Sequence, residues 1–110
     1  MTIQETGRPK SFAELEAQEE VSEEELVASL GGYADSGAAI RGDVVVSIIE
    51  RTSLTQDGLE ALQAAAVRGI TAQAKNRFYS SPETVNTEQG HYAHVLGAVG
   101  LKLESIADPR

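Results

Sequence analysis

The chain has 110 residues, a formal net charge of −8 and no cysteine. This length favours one domain that buries about 60 to 65% of its unfolded surface, and the missing cysteines exclude disulfides, thiolate metal sites and cysteine nucleophiles. No apolar run approaches the roughly 18 residues of a membrane helix, and the start of the chain lacks the apolar centre of a signal peptide, so we expect a soluble protein. Residues 1–10 predict a flexible N-terminal arm, and residues 11–110 a single helical domain.

Large apolar side chains are scarce in this composition. The chain holds two Phe, three Tyr and no Trp, and its hydrophobic fraction of 41% depends mainly on Ala and Val. Since burial contributes roughly 25 cal/mol per Å² of apolar surface, an interior rich in Ala stabilises a free monomer weakly. The composition therefore predicts that contacts between subunits supplement the core.

Two capping boxes mark the first predicted helices. The sequences SFAE at 11–14 and SEEE at 22–25 each place a hydroxyl at an N-cap and a carboxylate three residues later. They predict a short helix over 12–20 and a second over about 23–40. Gly31-Gly32 gives the second helix a weak middle, because each glycine either ends the helix or costs it about 1 kcal/mol.

Residues 43–50, DVVVSIIE, are compatible with two structures. Five β-branched residues favour a strand, whereas the unbroken apolar character equally suits a buried turn of helix. Periodicity does not choose between the two.

The clearest predicted element is a long central helix that begins after Thr55. Asp57 lies near its positive end and Lys75 near its negative end, as the helix dipole favours. Its apolar residues recur at steps of three and four and form one stripe for packing: Leu59, Leu62, Ala66, Ile70, Ala74 and Phe78.

The C-terminal region allows a hairpin or a helix. HYAHVL and LKLE alternate around GAVG, which favours a short C-terminal β-hairpin or an extended tail after Pro82. The competing helix over 88–106 would carry three glycines at a combined cost of about 3 kcal/mol. The overall expectation is a mainly α-helical small domain with a long central helix and this hairpin.

Catalytic chemistry has no candidate constellation in the sequence. His91 and His94 would share one face of a helix, but only Glu88 is near them, whereas zinc needs further ligands. No nucleophile elbow, phosphate loop or dinucleotide fingerprint occurs. We therefore expect no enzyme, no catalytic residue, no metal site and no cofactor.

Charge is distributed unevenly along the chain. Residues 1–25 contain eight Glu against Arg8 and Lys10, whereas residues 61–82 contain three basic residues and no acid. Such a chain lacks the basic footprint of a nucleic-acid reader. Complementary charge instead suits an oligomer contact, where it sets register and partner choice.

Three segments resemble one known family. They are SFAELEAQEEVSEEELVASLGGYADSGAAIR at 11–41, LEALQAAAVRGITAQAKNRFYSSPETV at 59–85 and TEQGHYAHV at 87–95. Their acidic N-terminal helices, Ala-rich helix, Arg-aromatic corner before a proline and Gly-x-Tyr step are similar to the small head-to-tail adaptor, or head completion, proteins of long-tailed bacteriophages and gene transfer agents.

The resemblance implies a structural role in a virion. Members of that family form a ring, usually of twelve copies, at the head-tail interface after assembly in the host cytoplasm. The ring joins the portal protein to a stopper or tail connector protein, and DNA passes through its lumen without sequence-specific binding. No membrane is involved.

Candidate interface residues follow from the charge asymmetry and from the corner that ends the long helix. We expect the acidic segment of one copy, residues 14–25, to meet the basic helix face of the next copy, residues 68–77. The candidate residues for the subunit or portal interface are Glu19, Glu20, Glu24, Arg68, Lys75, Arg77, Tyr79 and Tyr92.

Two other classes of protein remain open from the sequence. The stretch LEAQEEVSEEELVASLGG, which ends at Gly31-Gly32, also resembles the leader of a secreted peptide with a double-glycine cleavage site. Cleavage there would release residues 33–110. The other class is a small acidic binding or inhibitor protein that mimics nucleic acid and acts as a monomer.

Overall fold

A computed structural model describes residues 10–75 and 81–107. Within these residues the chain is mainly α-helical and contains no strand. The helices are α1 (Phe12–Ala17), α2 (Glu23–Ser36), α3 (Gly42–Glu50), α4 (Gln56–Lys75) and α5 (Pro82–Ala107). The mainly α-helical expectation is confirmed, and α4 is the predicted long helix. The predicted arm over 1–10 lies outside the described residues except for Lys10.

Both predicted capping boxes are present. The Ser11 hydroxyl accepts a hydrogen bond from the Glu14 amide at 3.1 Å, and the Glu14 carboxylate accepts one from the Ser11 amide at 2.8 Å. Ser22 and Glu25 repeat this exchange at 3.1 and 3.0 Å. Because the caps satisfy free amides in the first turn, they fix where α1 and α2 begin.

Helix α2 continues through Gly31-Gly32 and ends at Gly37. The glycine pair lies inside the helix, while Gly37 adopts a left-handed conformation with a φ of 73°. A glycine is favoured there because the left-handed region strains residues that carry a Cβ. The helix therefore ends a few residues before the predicted boundary near residue 40.

Residues 42–50 form α3. The sequence of residues 43–50 was compatible with either a strand or a helix. Burial of Val45, Ile48 and Ile49 on one side of the helix outweighs the β-propensity of the segment. The side chain of the N-cap residue, Arg41, makes no capping hydrogen bond to α3. Instead, the amide of Gly42, the first residue of α3, donates to Nδ1 of His91 at 3.0 Å. Helix α5 thus supplies the cap for α3.

The predicted C-terminal β-hairpin is wrong, because residues 82–107 form one helix. Tyr92, Val95 and Val99 are fully buried along one side of α5, and this burial offsets the low helix propensity of its glycines. Gly90 and Gly97 lie on the exposed side of α5, where a Cβ would meet no atom within 4 Å. These glycines weaken the helix locally without interrupting it.

The helices follow an interlaced order around one core. The packed pairs are α1 with α3, α3 with α5, α5 with α4, α4 with α2, and α2 with α1. Helices α2 and α4 run in the same direction, since Glu23 contacts Thr55 near their starts and Asp35 contacts Arg68 further along. The core draws on all five helices, and within residues 10–75 and 81–107 its buried aromatic side chains are Phe12 and Tyr92, with Tyr33 packed against them at its edge.

Tyr92 packs flat against α4 at Gly69. A Cβ built on Gly69 would overlap the Tyr92 ring, so this position allows the close approach of α4 and α5. The Tyr92 hydroxyl donates to the carbonyl of Ala38 at 2.6 Å. Burial raises the pKa of Tyr92 to about 12, and the negative charge of Glu88 adds to this shift.

Arg51 joins the end of α3 to the end of α1. Its guanidinium donates to the carbonyls of Leu15 and Gln18 at 2.8 Å each, and to that of Glu16 at 3.0 Å. The cation therefore caps the C-terminus of α1, with donors to the carbonyls of Glu16 and Gln18 and a second donor to that of Leu15, which also accepts from the Gln18 amide.

Candidate subunit interface

A basic groove lies between α2 and α4. It has a volume of about 310 Å³, and its lining residues include Asp35, Val67, Arg68, Thr71, Ala72 and Lys75. Val67 is 47% exposed and adds an apolar side chain to this lining. The groove thus combines an exposed apolar side chain with two basic residues.

The two cations of the groove differ in their pairing. Arg68 Nε donates to Asp35 Oδ1 at 2.8 Å, and both side chains are at least half exposed. Lys75 is exposed and has no ion-pair partner in the described part of the chain. Lys75 is therefore the cation of the groove that is available to a carboxylate from outside the chain.

The acidic segment, residues 14–25, spans α1 and the start of α2. Glu14 and Glu25 serve as capping residues. Glu19, Glu20 and Glu24 are exposed, and their carboxylates bind no cation among the residues that the structure describes. Of the predicted acidic interface residues, all three are therefore available at the surface.

Lys10 anchors the start of the domain to the acidic segment. Its ammonium donates to Glu25 Oε2 and to Gln18 Oε1, both at 2.6 Å, and its carbonyl accepts from the Ser29 hydroxyl. The hydrogen bond from Lys10, together with the Ser22 amide, lowers the pKa of Glu25 from 4.5 to about 2. Lys10 therefore belongs to the folded domain and not to a flexible arm.

We expect Glu25 to make stability depend on pH in the acid range. Because its pKa is lowered on folding, its contribution is complete above about pH 4.5 and is lost as the pH falls to about 2. Glu25→Gln should lower the free energy of unfolding by under about 1 kcal/mol at pH 6, because the pair is partly exposed. Urea unfolding of both proteins at pH 6, 4 and 2 measures the difference, which should vanish near pH 2.

Glu20→Gln is the matched control for this pH dependence, since Glu20 is exposed and caps no helix. A difference between wild type and Glu25→Gln that stays constant from pH 6 to pH 2 would contradict the assigned role of Glu25.

The acidic segment and the basic groove lie towards opposite ends of the α2 and α4 pair. Glu24 is in the first turn of α2, whereas Arg68 contacts Asp35 near its end. At 1.5 Å per residue, Glu24 and Asp35 are separated by about 16 Å along α2. One copy therefore carries unlike charges at separate ends, an arrangement that suits head-to-tail contacts.

The remaining predicted interface residues are Arg77, Tyr79 and Tyr92. Arg77 and Tyr79 lie outside the described residues. Tyr92 is fully buried and bonds to the carbonyl of Ala38, so its prediction as an interface residue is corrected to a core role. Its aromatic ring fills the space left by Gly69 on α4.

Sequence reasoning did not identify three exposed apolar side chains. Val67 on α4 is outside the predicted apolar stripe, and Leu101 and Ile106 on α5 are 69% and 42% exposed. An apolar residue that falls off the buried face of a helix is the pattern that indicates such positions. The predicted hairpin included Leu101, which obscured this signal for that residue.

The two histidines are not part of a metal cluster. His91 Nδ1 accepts from the Gly42 amide, and His94 is exposed. Within residues 10–75 and 81–107 no three His, Cys, Asp or Glu side chains are grouped to hold a metal ion. Over the same residues no helix is both long and apolar enough to serve as a membrane span.

Comparison of the chain with protein-family models, with curated proteins and with solved structures finds no match. A functional assignment therefore depends on the surfaces described above and on the sequence patterns.

Proposed function

We propose that this chain is a structural subunit that assembles head to tail into a ring and connects the portal of a virus-like capsid to its tail. The observation that carries the proposal is the separation of the basic groove from the acidic segment on one compact body. The basic groove contains Lys75, which has no ion-pair partner among the described residues, and the exposed Val67. The acidic segment contains the exposed Glu19, Glu20 and Glu24.

A ring uses such surfaces more completely than a two-fold dimer. In a two-fold dimer, the basic groove and the acidic segment each meet their own copy, or the two pair reciprocally across one contact. In a closed ring, one end of each copy contacts the opposite end of the next copy. Acid against base at every contact favours association and fixes its register. Burial of Val67 at the same contact would add apolar area to a core that is poor in large side chains.

The excess negative charge is compatible with a channel for DNA. The chain has a formal net charge of −8, and like charge on a lumen prevents nucleic acid from adhering to the wall. In this proposal the ring contacts the portal protein on one side and a stopper or tail connector on the other, and it catalyses no reaction.

The position of the double glycine favours the connector over a secreted-peptide precursor. Gly31 and Gly32 lie inside α2, and Gly31 faces the Arg68 guanidinium. Removal of the first 32 residues would take at least five buried apolar side chains out of the core: Phe12, Leu15, Val21, Leu26 and Leu30. The remaining segment would lack one side of its hydrophobic core.

The test is a charge exchange between the two surfaces. Lys75→Glu should weaken self-association by at least about tenfold, because it places a carboxylate against the acidic segment of the next copy. Combining it with Glu19→Lys, Glu20→Lys and Glu24→Lys should restore assembly. Sedimentation velocity over a range of protein and salt concentrations measures the association, and negative-stain images show whether the product is a ring.

Lys102→Glu on α5 is the matched control, since it makes the same change of charge away from the basic groove. It should leave assembly unchanged. A wild-type protein that stays monomeric at every concentration, as the acidic inhibitor class predicts, would overturn the proposed function.

A further inference from the structure

A second concave surface lies where α1, α2, α3 and α5 meet, apart from the basic groove. This pocket has a volume of about 550 Å³, within the range of roughly 300 to 1,000 Å³ that is usual for small-ligand sites. Its apolar wall includes Phe12, Tyr33, Ile40 and Val44. The Phe12 and Tyr33 rings are 4.6 Å apart between centroids and inclined at 33°, which gives the pocket an aromatic side.

The pocket contains a carboxylate whose hydrogen bonding is incomplete. Glu88 lines it from α5, and the Oε1 atom of Glu88 is buried without a hydrogen-bond partner among the described residues. A buried acceptor without a donor typically costs about 1 to 3 kcal/mol, and more when it is charged. Oε1 itself is closed to solvent, but a cation that entered the pocket would offset the negative charge of this carboxylate.

The other polar groups of the pocket leave that negative charge uncompensated. The side chain of Arg41 is 77% exposed and lies 3.8 Å from Asp43. Nδ1 of His91 accepts from the Gly42 amide, so this nitrogen offers no proton to Glu88. Glu16 on α1 adds a second carboxylate at the rim.

We propose that this pocket binds the ammonium group of an alkylamine, with Glu88 as its counter-ion. The ammonium donates to the Glu88 carboxylate while the alkyl chain lies against Ile40 and Val44. The rings of Phe12 and Tyr33 add a favourable interaction with the cation. The ammonium belongs either to a free amine or to a lysine of a second copy. The proposal does not depend on ring assembly, because the basic groove is lined by other residues.

Titration of the full chain with n-butylammonium, followed by NMR of the backbone amides, tests the site. Saturable shifts should concentrate at Tyr33, Glu88 and His91, and n-butanol, which has no charge, should bind at least about tenfold more weakly. Glu88→Gln should weaken binding of n-butylammonium by about tenfold, because it removes a charged hydrogen bond. Glu16→Gln, at the exposed rim, should weaken it by about twofold.

Glu83→Gln is the matched control, since Glu83 is exposed on the same helix and does not line the pocket. It should leave binding unchanged. Circular dichroism verifies that each variant is folded. If Glu88→Gln does not fold, the effect of Glu16→Gln on binding still tests the proposal. Absence of saturable shifts, equal binding of n-butanol, or equal binding by both pocket variants would overturn the proposal.

Sedimentation equilibrium of wild type and Glu88→Gln without added amine distinguishes the two sources. Weaker self-association of Glu88→Gln identifies a lysine of a second copy as the ligand. Unchanged self-association together with binding of n-butylammonium identifies a free amine.

Discussion

Gly69→Ala is expected to destabilise the protein by about 2 to 3 kcal/mol, although alanine is the better helix former. The new methyl group would overlap the ring of Tyr92, which is fully buried. The ring has little freedom to move, because the Tyr92 hydroxyl is bonded to the Ala38 carbonyl at 2.6 Å. Helices α4 and α5 would have to separate. Urea denaturation monitored by circular dichroism measures the loss as a lower transition midpoint.

Gly97→Ala is the matched control for Gly69→Ala. Both glycines lie inside long helices, but a Cβ at Gly97 meets no atom within 4 Å. Gly97→Ala should therefore stabilise the protein by about 0.5 to 1 kcal/mol through helix propensity alone. If Gly69→Ala were as stable as Gly97→Ala, the close contact between Gly69 and Tyr92 would be refuted.

Arg51→Ala should lower the free energy of unfolding by about 2 kcal/mol and release α1 from the domain. Its guanidinium binds carbonyls at the end of α1, and no other side chain links that end to α3 by hydrogen bonds within residues 10–75 and 81–107. Loss of α1 would expose Phe12 and Leu15, which are buried. Hydrogen exchange at α1 amides measures the local effect, and urea denaturation the global effect.

Arg51→Lys should recover only part of this stability, because an ammonium cannot reach several carbonyls with the planar geometry of a guanidinium. Arg41→Ala is the control, since Arg41 is 77% exposed and its nearest carboxylate is 3.8 Å away. Its effect should stay within about 0.5 kcal/mol. Equal effects of Arg41→Ala and Arg51→Ala would contradict the proposed role of Arg51.

The elements that the sequence predicted correctly are those whose signals are local. Capping boxes act within four residues, so Ser11 and Ser22 located the starts of α1 and α2. The apolar stripe of α4 likewise repeats within one helix, and its members Leu59, Leu62 and Ala66 are buried. Local chemistry was sufficient in both cases.

The elements that the sequence left open or predicted wrongly depend on distant partners. Residues 43–50 are helical because α1 and α5 pack against them. A segment of eight residues is too short for its periodicity to reveal that packing. Residues 88–106 contain three glycines, whose propensity cost was visible. The compensating burial of Tyr92 against α4 was not visible, because Gly69 lies 23 positions earlier in the chain.

The candidate surfaces were predictable in charge but not in detail. Unequal distribution of Glu and Arg or Lys along the chain located the acidic segment and the basic helix face. The neighbours of Glu88 could not be inferred, since its pocket is built from four helices and one loop that meet only in the tertiary structure. Pairing of Arg68 with Asp35 inside one copy was also unpredicted.

Because most packed helices are not neighbours along the chain, we expect the helices to fold as one unit. Within residues 10–75 and 81–107, the consecutive helices that pack closely are α1 with α2 and α4 with α5, and the other closely packed pairs have a further helix between them along the chain. Neither consecutive pair can therefore enclose the buried leucines, valines and isoleucines by itself. A fragment that ends before α5 would lack Tyr92, Val95 and Val99 and would also lose the imidazole that begins α3. The smallest unit with a closed interior is thus the whole set of helices.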